Sequence, residues 1–206
     1  MRNRTAKWFI GATVLVALGL APAAQAVDLG SLTSLLGQLG TASKASGDAT
    51  LVSLAKDLAP KAQALYKALG GNSAVQGQLV SALQALLGNK SVSALGALTK
   101  LSEAKLTDAQ MKLAKDVGNV GSAYLVQKNF ASLEGAQGDV AQIVNALRKG
   151  DPTTVLPALQ NVAQNAKITP AQKELAGALV DQYAPGMKKI GNALKEGLKS
   201  LPGFGK

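Results

Sequence analysis

The chain contains neither cysteine nor histidine. Without cysteine there can be no disulfide, no thiolate nucleophile and no thiolate metal ligand. Without histidine the commonest general base and the commonest zinc ligand are missing together. Aromatic residues are scarce as well: one tryptophan, three tyrosines and three phenylalanines in 206 residues. A core built without them must rely on Leu, Val, Ile and Ala, and Leu and Ala are strong helix formers. A β-sandwich would demand more aromatic and β-branched side chains. The twelve acidic residues are scattered singly, with no DxD or ExxE cluster of the kind that holds calcium or a metal pair. Serines are plentiful, yet none sits in a G-x-S-x-G elbow. Gly70-Gly71-Asn72 lacks the Gly-Lys-Ser/Thr end of a phosphate loop and reads as a helix stop. These absences leave no catalytic, cofactor-binding or metal site to name, and the chain is not expected to be an enzyme.

What is present begins with an export signal. Arg2, Arg4 and Lys7 give a basic start, Trp8 to Ala21 form an apolar stretch, and Ala24-Gln25-Ala26 supplies the small-residue end. Those are the three parts that signal peptidase reads. The stretch is short for a helix that must cross about 30 Å of hydrocarbon. Residues 1–26 are therefore expected to be removed after Ala26, and the product to be periplasmic or secreted. Removing 26 of 206 residues leaves 180, read as one helical domain over 27–206. A chain of that size buries roughly 70% of its unfolded surface and needs no disulfide staple.

The positive charge is unevenly placed. Of the formal +10, the leader carries +3. Five lysines against Glu196 give a local +4 in residues 187–206, so residues 27–186 carry only +3.

Helix starts are legible along the chain. Thr107 with Gln110 and Thr169 with Gln172 have the capping-box spacing, in which hydroxyl and amide side chains satisfy each other's backbone N–H. Ser73 with Gln76 offers a third box, and Asp48 and Asp151 read as single caps, Asp151 with Pro152 behind it. Gly70-Gly71, Gly88, Gly150 and Pro185-Gly186 read as stops. Between them apolar residues fall at steps of three and four, as in Val140, Ile143, Val144 and Leu147. Pro60 is expected to kink or split the segment from Asp48 to Leu69. The reading is all-α: a compact multi-helix bundle or short helical stack of about eight or nine short helices, without strands.

Three stretches resemble one another. DATLVSLAKD from Asp48, TDAQMKLAKD from Thr107 and TPAQKELAGA from Thr169 each place Leu-Ala six residues after the cap. The pattern predicts three weak repeats of about 60 residues, the mark of stacked helical units. Ala, Leu and Lys are common enough here that composition alone could produce part of it. Lys56-Asp57 and Lys115-Asp116 match in the first two copies, and read as solvated surface charge.

The last twenty residues carry the clearest functional hint. Met187, Ile190, Leu194, Leu198 and Leu201 would share one face of a helix over 187–201. Lys188, Lys189, Lys195 and Lys199 would lie mostly elsewhere on it, which makes them candidate contacts for an anionic membrane or another anion. The same apolar face could instead close the core. Nucleic acid is an improbable partner for an exported chain whose mature part holds one arginine, Arg148. The leading expectation is a non-enzymatic exported binding or scaffold protein, acting on a cell-envelope protein or on itself, with no cofactor. A peripheral membrane or lipid-binding protein is the alternative. A hydrolase using carboxylates brought together in space is the remote one.

Overall fold

The computed structural model describes residues 28–183, apart from 89, 152 and 153. The leader and the four tail lysines Lys188, Lys189, Lys195 and Lys199 lie outside the described residues. Eight helices and no strand make up what is described: α1 (Leu29–Ala45), α2 (Ala49–Leu69), α3 (Ser73–Leu87), α4 (Ser91–Glu103), α5 (Asp108–Phe130), α6 (Gln137–Lys149), α7 (Val155–Gln164) and α8 (Pro170–Tyr183).

Their starts follow from local chemistry. Asp48 Oδ1 accepts from the amides of Thr50 and Leu51 at 2.8 and 3.1 Å, heading α2. Thr107 and Thr169 head α5 and α8, each with its Gln side chain accepting from the threonine amide, at 3.0 and 2.9 Å. The two glutamines also tie one helix to another. Gln110 Nε2 donates to the Ala68 carbonyl at the end of α2, and Gln172 Nε2 to the Asn129 carbonyl at the end of α5, at 2.7 and 2.5 Å. The same box thus meets the same place, the second-last residue of an earlier long helix, twice in the molecule.

Three local expectations need correction. Ser73 and Gln76 form no box: Asn72 takes the cap position, and Gln76 Nε2 turns to the carbonyls of Tyr66 and Gly70. The tight Gly70-Gly71 turn lays the end of α2 beside the first turn of α3, where carbonyls at the helix end accept from the Gln76 side chain. Asp151 does not cap α7, which begins at Val155. Its amide is bound to the Ala146 carbonyl while that of left-handed Gly150 is bound to Leu147, so Asp151 completes a Schellman end to α6. Pro60 does not split α2, which runs unbroken through it. Pro60 and Lys56 are both exposed, so water can take the carbonyl that proline cannot serve, while fully buried Leu58, Ala62 and Leu65 hold the opposite face.

α5 is the axis of the assembly. It packs against α2, α4 and α6, with α3 joined to α1 and α4, α7 to α6, and α8 to α7 and back to α4. Seven consecutive residues from Val120 to Val126 are buried, which only a helix covered on every side can show. Small residues make that possible. A Cβ on Gly121 would come within 2.8 Å of Leu98 Cδ1, so α4 lies directly against the bare backbone of α5. Around this axis the core is mostly leucine: Leu32, Leu54, Leu58, Leu65, Leu79, Leu98 and Leu175 are fully buried. Each such side chain contributes about 1.5–3 kcal/mol relative to exposure, so packing alone can sustain a domain without disulfides.

Candidate functional site

The orientation of α2 against α5 decides what their surfaces bring together. Gln127 Nε2 near the end of α5 donates to Asp48 Oδ2 at the start of α2, at 2.7 Å. Gln110 near the start of α5 reaches the end of α2. The two helices are therefore antiparallel, and residues matched by the repeat can meet only near the middle of the pair. Lys56-Asp57 and Lys115-Asp116, 59 residues apart, sit near that middle.

Lys56, Asp57 and Asp116 meet over a groove. A hollow of about 520 Å³ is lined by Lys56, Asp57, Pro60, Lys61 and Ala64 of α2, Leu113, Asp116 and Val120 of α5, and Arg148 of α6. Its lining is mixed: exposed Pro60 and Ala64 and half-buried Leu113 lie among five charged side chains. A second hollow of about 420 Å³ adjoins it across Asp116, lined by Asp108, Met111, Lys112, Lys115, Asn119 and Gly150. Asp116 is thus the ridge between two open depressions on one face of the molecule.

Arg148 crosses from α6 to form an ion pair with Asp57. Both side chains are 36% exposed, so the pair adds little to stability, about 0–1 kcal/mol, and mainly fixes two charges at the rim. Lys56, Lys61, Lys112, Lys115 and Asp116 have no ion-pair partner among the described residues. The groove combines exposed apolar side chains, one internally satisfied ion pair and several uncommitted charges. That is a surface suited to holding a partner by contact.

Other polar features have structural explanations. Lys128 Nζ donates to the carbonyls of Leu86 and Gly88 at 3.0 and 2.7 Å, closing the C-terminus of α3, and burial holds its pKa below the ordinary lysine value. Ser102 and Lys105 have the S-x-x-K spacing of some serine nucleophiles. Ser102 Oγ instead donates to the Thr99 carbonyl, and Lys105 is exposed beyond the end of α4. A third hollow, between α1 and α3, contains Asp28, whose carboxylate already caps α1 through the Ser31 amide. No group of three acidic residues is placed to hold a metal ion among the described residues, and no helix there is long and apolar enough to cross a membrane.

The caps Asp48, Thr107 and Thr169 are helix ends rather than parts of a binding surface, although Asp48 also anchors α5 through Gln127. In the sequence, Lys56, Asp57 and Asp116 read only as solvated surface charge, and nothing there joins them into a site. The signal that could have found them is the repeated Lys-Asp pair, which becomes a site only when two antiparallel helices carry it. Comparison with known proteins finds no matching family, no similar curated protein and no similar solved structure. The functional reading rests on this groove and on the sequence.

Proposed function

We propose that the protein is an exported, non-enzymatic binding or scaffold protein that acts by contact with a protein of the cell envelope, through the groove between α2, α5 and α6. The observation that carries this reading is the groove itself, where exposed Pro60 and Ala64 and half-buried Leu113 lie among Lys56, Lys61 and Asp116, and none of these three charges is ion-paired among the described residues. Apolar side chains set among charged ones on an open surface are ordinary material for a protein interface. Export is supported by the three-part leader, and by a helix whose cap, Asp28, lies just beyond the expected cleavage point at Ala26.

The test is site-specific photocrosslinking in cells. A photoreactive side chain at Ala64, on the groove, should yield a discrete adduct, and one at exposed Ser81 on α3 should not. Equal labelling at both positions, or none at Ala64, overturns the reading. Mass spectrometry of the isolated protein should give Val27 as first residue; a chain beginning at Met1 would overturn export with cleavage.

A second reading, a peripheral membrane protein working through residues 187–201, is favoured by the spacing of Met187, Ile190, Leu194, Leu198 and Leu201 with four lysines. Each lysine near an anionic bilayer adds about 1 kcal/mol of attraction. Binding to anionic vesicles that weakens when Lys188, Lys189, Lys195 and Lys199 become Gln would support it; no binding would end it.

A further inference from the structure

We infer that the face of α2, α5 and α6 carrying the two hollows takes an acidic, amphipathic segment of a protein partner, carboxylates meeting its lysines and apolar side chains its exposed apolar residues. The inference rests on the groove being the contact surface and adds the chemistry of what it contacts. Once Asp57 and Arg148 cancel, the two hollows present Lys56, Lys61, Lys112 and Lys115 against Asp108 and Asp116, a surplus of two positive charges. Residues 27–186 carry only three surplus charges in all. Two of those three charges therefore lie on the face that carries the two hollows. These lysines carry no ion pair among the described residues, so an incoming carboxylate need not displace one already present.

The apolar part of the lining narrows the partner further. Exposed Pro60 and Ala64, with half-buried Leu113, offer apolar surface between the lysines of α2 and those of α5. A bare polyanion gains nothing from it, whereas a helix with Leu on one face and Glu beside it matches both parts. Asp116 stands on the ridge between the lysines and opposes any carboxylate that approaches, so it sets the sign of a decisive control.

The experiment measures fluorescence anisotropy of a labelled amphipathic Leu/Glu helical peptide against the purified mature protein. Its Leu/Lys counterpart, polyglutamate, and phosphatidylglycerol-containing vesicles serve as the other arms. The Leu/Glu peptide should bind, the double variant Lys61→Ala, Lys112→Ala should weaken it about tenfold, and Asp116→Asn should tighten it about threefold. Opposite effects from neighbouring substitutions are not produced by a general loss of folding. Converting Lys188, Lys189, Lys195 and Lys199 to Gln should leave binding unchanged. Loss of binding in that tail variant, polyglutamate binding as tightly as the peptide, or vesicles alone binding through Lys61 and Lys112 would each overturn the inference. If the Leu/Lys peptide binds instead and Ala64→Arg abolishes it, the assigned charge is wrong while the groove remains the contact surface. If no arm responds to any groove substitution and Ala64 gives no crosslink in cells, the contact surface itself is wrong.

Discussion

The Tyr124 hydroxyl donates to Ser43 Oγ across 3.1 Å, joining α5 to α1 inside the core, and the direction of that bond is fixed by its neighbour. Ser43 has one hydroxyl proton and commits it to the Leu39 carbonyl at 2.7 Å. Tyr124 must then be the donor. Both residues are buried, at 1% and 3% exposure, so neither has water as a substitute partner. The two deletions are consequently unequal. Ser43→Ala leaves a buried phenol without its acceptor and should cost about 1–3 kcal/mol. Tyr124→Phe leaves Ser43 still bonded to Leu39 and should cost only about 0.5–1.5 kcal/mol. Urea denaturation of both variants checks the order; Tyr124→Phe proving the more damaging would show that the bond runs the other way.

The two threonine boxes make a second prediction. Thr107→Ala and Thr169→Ala should each cost about 1 kcal/mol, because each removes the acceptor for one first-turn amide. Gln172→Ala should cost more than Thr169→Ala, since it removes the reciprocal cap and the link to the Asn129 carbonyl together. Unfolding midpoints that fail to move in any of the three would mean that solvent serves these helix ends equally well.

The helical class and several helix starts were readable because they depend on near neighbours. Thr-x-x-Gln places the heads of α5 and α8 without knowledge of anything distant. Where the sequence misleads, a tertiary partner intervenes, as when Gln76 turns to the carbonyls of Tyr66 and Gly70. The all-round burial of α5 was hidden for a different reason. Gly118, Gly121, Ser122 and Ala123 are neither strongly apolar nor strongly polar, so the periodic pattern has no contrast there. The groove was illegible because its charges come from three helices, and the antiparallel pairing that assembles them is not written in local spacing.

Asp28 supplies a pH dependence. The backbone amide of Ser31, with further help from the Ser31 hydroxyl, holds its carboxyl below the ordinary carboxylate value. A carboxyl with a lowered folded pKa stabilises the fold above the unfolded value, about 3.9, and loses that contribution as pH falls through the folded value. The stability advantage of the native chain over Asp28→Ala should therefore be full at pH 6 and shrink as the solution is acidified below about pH 4. Melting temperatures of the pair across that range test it. A constant difference would show that the cap does not depend on the charge.

The closest helix contact in the core yields the last prediction. Alanine in place of a helical glycine ordinarily gains about 1 kcal/mol of helix propensity. At Gly118 nothing opposes that gain, since the added Cβ would meet only the Leu98 carbonyl oxygen, at an ordinary 3.9 Å. Gly118→Ala should be neutral or mildly stabilising. At Gly121 the same Cβ would lie 2.8 and 2.9 Å from the two methyl carbons of Leu98. Leu98 is fully buried and cannot swing away freely, so overpacking of about 1–3 kcal/mol outweighs the propensity gain. Gly121→Ala should thus destabilise the protein. Shortening the opposing side chain relieves the clash, so in a double-mutant cycle Gly121→Ala should be far less costly on a Leu98→Ala background than on the native one. Additive effects would place the two residues out of contact and remove Leu98 as the reason for glycine at 121.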